Sequence, residues 1–290
     1  MSKPLILVTG SRGQVGSELA KLSSDIPRFD FLYIDKDDVD LGDKVAFSDY
    51  TEGKKINYII NCAAYTAVDQ AESDEANALL INAKVPGMLA EFCQTSNTRL
   101  LHISTDYVFE GNGNVPLTEL NQPNPSSVYG KTKLQGEKEI LDKLNNAYIF
   151  RTAWVYSVFG KNFLKTMLSL AKTRAQVSVV YDQVGTPTNA RDLAWMILTV
   201  IENIELGNDF PGVYHYTNEG VTSWFDFATA IFKIADLPTD VAPIPTSDYR
   251  TAAKRPVFSV LDKTKIKKTF NISIPHWMES LEKTINELKQ

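Results

Sequence analysis

Tyr129 and Lys133 stand four positions apart in SVYGKTKLQGE, Ser127 to Glu137. A helix turns once per 3.6 residues, so a helix would put these two on one face and send Lys131 away from it. A phenol beside an ammonium is a proton donor with a tuning charge. Free tyrosine has a pKa of about 10, and a cation within roughly 4 to 6 Å lowers it by about 1 to 3 units. Such a pair suits the reduction of a ketone, in which a hydride adds to carbon and an acid protonates the developing alkoxide. A third group lies upstream. HISTDYVFEG, His102 to Gly111, puts Thr105 and Asp106 at the end of an apolar run, where a hydroxyl can hydrogen-bond a carbonyl oxygen as it gains charge. The competing picture is a half-buried tyrosine above a solvated Lys133–Glu137 pair.

A second constellation supplies the other reactant. LILVTGSRGQVGSELA carries Gly10, Gly13 and Gly16 between a β-rich run and a helical pattern. That spacing gives a tight turn, room for backbone to approach a pyrophosphate, and a helix N-terminus aimed at negative charge. Asp35 ends the next apolar run, where a carboxylate binds adenosine ribose hydroxyls. It favours NADH, whereas Arg12 in the loop and Lys36 beside the aspartate attract the extra phosphate of NADPH, so both forms remain open.

These residues need a scaffold, and the hydrophobic pattern describes one. LILVT (Leu5 to Thr9), FLYID (Phe31 to Asp35), NYIIN (Asn57 to Asn61), RLLHIS (Arg99 to Ser104) and AYIFRT (Ala147 to Thr152) are short apolar runs. Helical spacing recurs over Val15 to Leu22, Ala76 to Cys93 and Tyr129 to Leu144. Wholly apolar strands alternating with helices predict a doubly wound parallel α/β sheet covered on both faces. Ligands bind such sheets at the C-terminal strand edge, where Thr105 and the glycine loop both fall. Past Thr152 prolines multiply, and DLPTDVAPIPTSDY, Asp236 to Tyr249, reads as extended loop. The expected division is a nucleotide-binding domain over 1–155, with 177–214 returning to it, and a smaller C-terminal lobe over 156–290 that completes a substrate pocket.

Composition narrows the partners. The 290 residues are 43% hydrophobic with a net charge of -5. The short DKTKIKK is the most basic run, so nucleic acid is not an expected partner. The longest apolar run, Leu193 to Ile201, is far below the roughly 20 residues a membrane span needs, and a soluble cytoplasmic protein is expected. Cys62 and Cys93 lack ligand spacing and read as small buried hydrophobes. His102, His215 and His276 are also too dispersed to ligate a metal, and Trp224 and Trp277 read as packing residues. Asn82 fits either an ordinary helical position or a bond near the site. Arg255 is a candidate for a substrate diphosphate through its planar fork.

The chain resembles the extended short-chain dehydrogenases/reductases and, within them, the dTDP-4-dehydrorhamnose reductases. The likeness runs through TGSRGQVGSEL, NCAAYTAVDQAES, STDYVFEG, VYGKTKLQGE, FRTAWVY, DQVGTPT and KRPVFSVL. It implies that Gly13, Gln14, Val15 and Gly16 hold the pyrophosphate of NADPH or NADH, with Gly10 and Arg12 also in the cofactor-binding loop. Asp35, Asp40 and Leu41 would surround its adenosine end, and Ala63, Ala64, Tyr65 and Thr66 would line its channel. Tyr129 would donate the proton, Lys133 would hold the nicotinamide ribose, and Thr105, Asp106 and Trp154 would contact a dTDP-linked keto sugar. Related dehydratases carry T-D-E where this chain has Thr105, Asp106 and Tyr107, so reduction fits better than elimination. Some members bridge a homodimer through magnesium on three carboxylates. Glu18 matches one, but the other positions fall on Arg191 and Trp195, so no such metal is expected, and a homodimer stays possible without it. The alternatives are a reductase or epimerase of another nucleotide sugar, and a non-catalytic regulatory subunit like that of methionine adenosyltransferase.

Overall fold

All five apolar runs become strands of one sheet in the computed structural model, which describes residues 3–289. The first half comprises β1 (Leu5–Thr9), α1 (Gln14–Ser23), β2 (Asp30–Ile34), α2 (Lys44–Thr51), β3 (Ile56–Asn61), α3 (Val68–Ala71), α4 (Glu75–Leu79), α5 (Val85–Ser96), β4 (Arg99–Thr105), α6 (Val128–Lys143) and β5 (Tyr148–Thr152). Each strand begins and ends within one residue of its expected bounds. A π-helical turn, Leu80–Lys84, joins α4 to α5.

The second half comprises β6 (Val155–Tyr156), α7 (Phe163–Ala171), β7 (Gln176–Val180), β8 (Val184–Gly185), β9 (Thr188–Asn189), α8 (Ala190–Glu205), β10 (Gly212–His215), β11 (Thr222–Ser223), α9 (Trp224–Ala235), β12 (Asp240–Ile244), α10 (Thr264–Phe270) and α11 (Trp277–Leu288). β10 joins the main sheet, whose order is β10-β5-β4-β3-β1-β2 with every pairing parallel. The chain winds outward from β1 to β2, then returns past β1 to β3. That reversal opens a crevice at the C-terminal ends of β1 and β3.

The strands are apolar throughout because both faces are buried. In β1, Ile6 and Val8 enter one core with Leu19 of α1 and Leu193 and Ile197 of α8. Leu7 enters the opposite core with Leu89 of α5 and Ile140 of α6. A third core unites α7, α9 and α11 through Leu164, Met167, Phe227, Ile231, Trp277 and Leu281. The proline-rich stretch departs from expectation: within Asp236 to Tyr249 lies β12, paired in parallel with β7. Pro243 sits opposite Val179 in this two-stranded sheet, where each strand keeps an open edge that tolerates a missing N–H.

Candidate active site

The glycine loop leaves β1 through Gly10, whose φ of 60° is left-handed. A Cβ there would lie 2.7 Å from the Ala63 nitrogen, and one at Gly16 would lie 2.5 Å from the Gly10 carbonyl oxygen. Only glycines permit the loop to fold this tightly against the segment that follows β3. α1 then starts at Gly13 with no side-chain cap and no acidic residue in its first turn. Its first N–H groups and partial positive charge are therefore available to an anion, the arrangement a dinucleotide pyrophosphate needs. Gln14 is steadied by Asn162, whose Nδ2 donates to its Oε1 at 2.9 Å.

A cleft of about 580 Å³ runs from Gly13, Gln14 and Val15 past Ala64 and Thr66 to Thr105, Asp106, Tyr129, Lys133 and Trp154. These expected residues, scattered over 140 positions of sequence, are thus brought together at the strand edge. Gly10 and Gly16 shape the loop behind it, and Ala63 and Tyr65 alternate with the lining residues. Tyr65 is fixed by Asn82, which accepts from its N–H at 2.9 Å and donates to its carbonyl at 3.1 Å.

α6 brings Tyr129 and Lys133 to the cleft. Ser127 caps it by accepting from the Gly130 N–H at 3.1 Å. A Cβ at Gly130 would meet the Tyr107 carbonyl oxygen at 2.2 Å, and one at Gly136 would meet the Asn82 carbonyl oxygen at 2.0 Å. Two glycines thus let α6 press against the Thr105 turn on one side and the π-helical turn on the other. Lys131 is exposed, whereas Lys133 is only 1% exposed. The solvated Lys133–Glu137 pair does not occur. Glu137 is 2% exposed and accepts from Arg151 Nη2 at 2.6 Å, from Arg151 Nε at 3.0 Å, and from the Ser104 hydroxyl.

The electrostatics correct one expectation. The Tyr129 phenol is not depressed. Burial pushes it up to about 12, with the Thr105 hydroxyl opposing and the Asp106 charge reinforcing the rise. Lys133 is itself pushed down to about 8 by burial. Its Nζ donates to the Ile103 carbonyl at 2.6 Å and lies 3.2 Å from His102 Nε2. His102 is therefore a neighbour of the pair as well as a core residue. At neutral pH the phenol is fully protonated, ready to give a proton.

Thr105 donates to Asp106 Oδ1 at 3.1 Å and accepts from the Tyr107 N–H at 3.2 Å. Asp106 is 2% exposed, its Oδ2 has no partner among the described residues, and burial raises it to about 6. Tyr107 packs edge-on against Tyr129 with ring centroids 5.5 Å apart. Trp154 holds a left-handed φ of 48° and stacks on Trp224 at 3.6 Å. A non-glycine residue in that region stores strain, which clusters at ligand sites. Trp224 thus lines the cleft in addition to packing on Phe163, a role its helical pattern concealed. Lys161 also lines the cleft and was missed, since an exposed lysine in a loop carries no pattern.

Other candidates lie apart from the cleft. Asp35 accepts from the N–H groups of Arg12 at 3.0 Å and Lys36 at 2.8 Å, which ties β2's end to the glycine loop. Arg12 itself pairs with Asp37. Asp40 accepts from the Gly42 N–H at 2.8 Å, and Leu41 packs on the second core. Arg255 does not offer an open fork. It grips Asp69 through Nη1 at 3.0 Å and Nη2 at 2.6 Å, clamping α3 to a loop 186 residues away. Nor do the residues around Glu18 fit a cation. Glu18 accepts from Ser157, and the Glu287 carboxylate beside it is paired with Lys21 and Arg191. Lys21 and Arg191 already neutralise Glu287, burial favours the neutral form of Glu18, and no cluster of three or more metal-ligating groups occurs among the described residues.

A parallel sheet with a glycine loop at its switch point and a Tyr-x-x-x-Lys helix facing that loop defines a short-chain dehydrogenase/reductase of the extended type. Residues 4–290 match the family model of the RmlD substrate binding domain. A dTDP-4-dehydrorhamnose reductase from Aggregatibacter actinomycetemcomitans is 41% identical, over 96% of this chain and 97% of its own. The crystal structure of a dTDP-4-dehydrorhamnose reductase from Clostridium acetobutylicum superposes with a TM-score of 0.93 at 39% identity, covering 99% of this chain and 100% of that one. A Bacillus anthracis dTDP-4-dehydrorhamnose reductase in complex with NADP has the same TM-score and coverage at 35% identity. The chain belongs to the dTDP-4-dehydrorhamnose reductase family.

Proposed function

We propose that this protein reduces the 4-keto group of dTDP-4-dehydro-L-rhamnose to give dTDP-L-rhamnose, using NADPH or NADH. The observation that carries this reading is the convergence of Tyr129, Lys133, Thr105 and Asp106 on one cleft that begins at an open helix N-terminus. Gly13 to Gly16 and the first turn of α1 hold the pyrophosphate, with Lys161 as a further cation beside it. Asp35 and Asp40 serve the adenosine end, and Ala63 to Thr66 border the channel. A bound reduced nicotinamide supplies the hydride. Lys133 holds its ribose from the floor of the cleft.

Tyr129 gives its proton to the sugar's 4-oxygen, and Thr105 turns its hydroxyl from Asp106 toward that oxygen as charge develops. Asp106, which lines the cleft beside Thr105, accepts from a sugar hydroxyl. Trp154, braced by Trp224, forms the wall on which the sugar packs. Tyr107 stands where a dehydratase would need a second carboxylate, which favours simple reduction.

The test follows oxidation of NADPH and of NADH spectrophotometrically with dTDP-4-dehydro-L-rhamnose, and identifies the sugar product. Turnover by the wild type, with a loss of about 10²- to 10⁴-fold in Tyr129→Phe, is the expected result. A folded wild-type protein that turns over neither cofactor with this sugar refutes the assignment.

A further inference from the structure

Asn61, the last residue of β3, and His102, within β4, are wholly buried beside Lys133. Asn61 Oδ1 accepts from the Ala63 backbone N–H at 3.2 Å and from the Thr9 hydroxyl at 2.7 Å. A backbone N–H can only donate, so this contact fixes which end of the amide is oxygen. The other end, Nδ2, then lies 3.0 Å from His102 Nδ1. An amide NH₂ also only donates, so His102 Nδ1 is the acceptor and a neutral imidazole carries its proton on Nε2. That N–H points to Lys133 Nζ, 3.2 Å away. Against an ammonium it would be donor facing donor. Against a free amine it is a hydrogen bond, and the amine still has a hydrogen for the Ile103 carbonyl.

We propose that Asn61, acting through the His102 imidazole, presents an N–H to Lys133 and biases it toward the uncharged amine, which makes Asn61 and His102 positioning residues for the Tyr129–Lys133 pair. The proposal rests on the reductase reading of that pair. The other groups around Lys133 do not reverse the bias. Cys62, after β3, keeps its thiol proton because burial pushes it up to about 12. Glu137, one turn along α6, is engaged by Arg151 and Ser104, and Tyr129 is protonated. Burial also moves His102 well below the usual histidine range and Lys133 to about 8, the directions this bond requires. Lys133, which holds the nicotinamide ribose in the proposed complex, therefore loses its ammonium near pH 8, where the alkaline limb of kcat/KM should fall.

Long-range proton–nitrogen NMR of the full chain labelled with ¹⁵N-histidine reads the tautomer directly. His102 is assigned among the three histidines by its absence from His102→Gln. The expected wild-type result is the Nε2–H form, and an Nδ1–H form overturns the proposal. Asn61→Asp keeps the size of the side chain and its contacts to Thr9 and Ala63, but offers His102 Nδ1 an acceptor. It should invert the tautomer, turn a bare Nε2 toward Lys133, and raise the alkaline limb of kcat/KM by about one pH unit or more. Because the new carboxylate can move that limb by its charge alone, the tautomer decides: an Nε2–H form that persists in Asn61→Asp also overturns the proposal. Absence of turnover in the wild type counts against the reductase reading instead, and the tautomer remains measurable.

Discussion

Lys133 and Glu137 lie one turn apart on α6, are almost equally buried, and have opposite fates. Glu137 has a bidentate guanidinium and a hydroxyl, so its charge is matched where it sits. Lys133 has a carbonyl, an imidazole and, among the described residues, no carboxylate within ion-pair reach. A buried, matched charge ties elements together, here α6 to β4 and β5. A buried, unmatched one is held at a cost that only function repays, and its protonation responds to small changes around it. Burial by itself therefore does not mark a working residue; the missing counter-charge does.

The largest effect that would sharpen this contrast is catalytic. Lys133→Met should lower kcat/KM for the proposed sugar by about 10²- to 10⁴-fold while the chain stays folded, as steady-state rates and circular dichroism would show. Next comes Glu137→Ala, expected to cost about 3 to 5 kcal/mol in chemical denaturation because Arg151 is left charged and buried. If Glu137→Ala unfolds no more easily than wild type, the contrast between the two residues fails. Gly136→Ala should cost about 1 to 3 kcal/mol by forcing α6 off the Asn82 carbonyl.

Lys133→Met should also stabilise the fold at neutral pH, on the order of 1 to 3 kcal/mol. Lys133 binds its proton less readily when folded than the ordinary lysine value of 10.5. The unfolded chain therefore carries more protons between about pH 8 and 10.5, wild-type stability rises with pH across that window, and below it the full cost is present. Denaturation midpoints measured from pH 7 to 10.5 should show this rise in wild type and a flatter profile in Lys133→Met. The smallest effect belongs to Lys131→Ala, which should leave turnover unchanged and stability within about 0.5 kcal/mol.

The amino-acid sequence determined the parts whose signal is local. Strand bounds followed from apolar runs, the glycine loop from a spacing that permits one tight turn, and the shared face of Tyr129 and Lys133 from helical periodicity. The proline-rich stretch marks the limit of that signal: proline removes a donor locally, but whether that matters depends on whether the folded strand has a second neighbour. Tertiary structure decided the rest, because those properties arise between residues distant in the chain. Arg255 reads as a free fork until Asp69 meets it, and Trp224 reads as core until Trp154 stacks on it. The expected lowering of the tyrosine pKa reversed because desolvation, which no spacing reveals, outweighs the Thr105 hydroxyl that favours the charged phenolate. His102 and Asn61 lie 41 residues apart, and only the parallel pairing of β3 with β4 sets them side by side beneath Lys133. Periodicity can place a side chain on a face, but the charge and proton it carries there depend on what the folded chain packs against it.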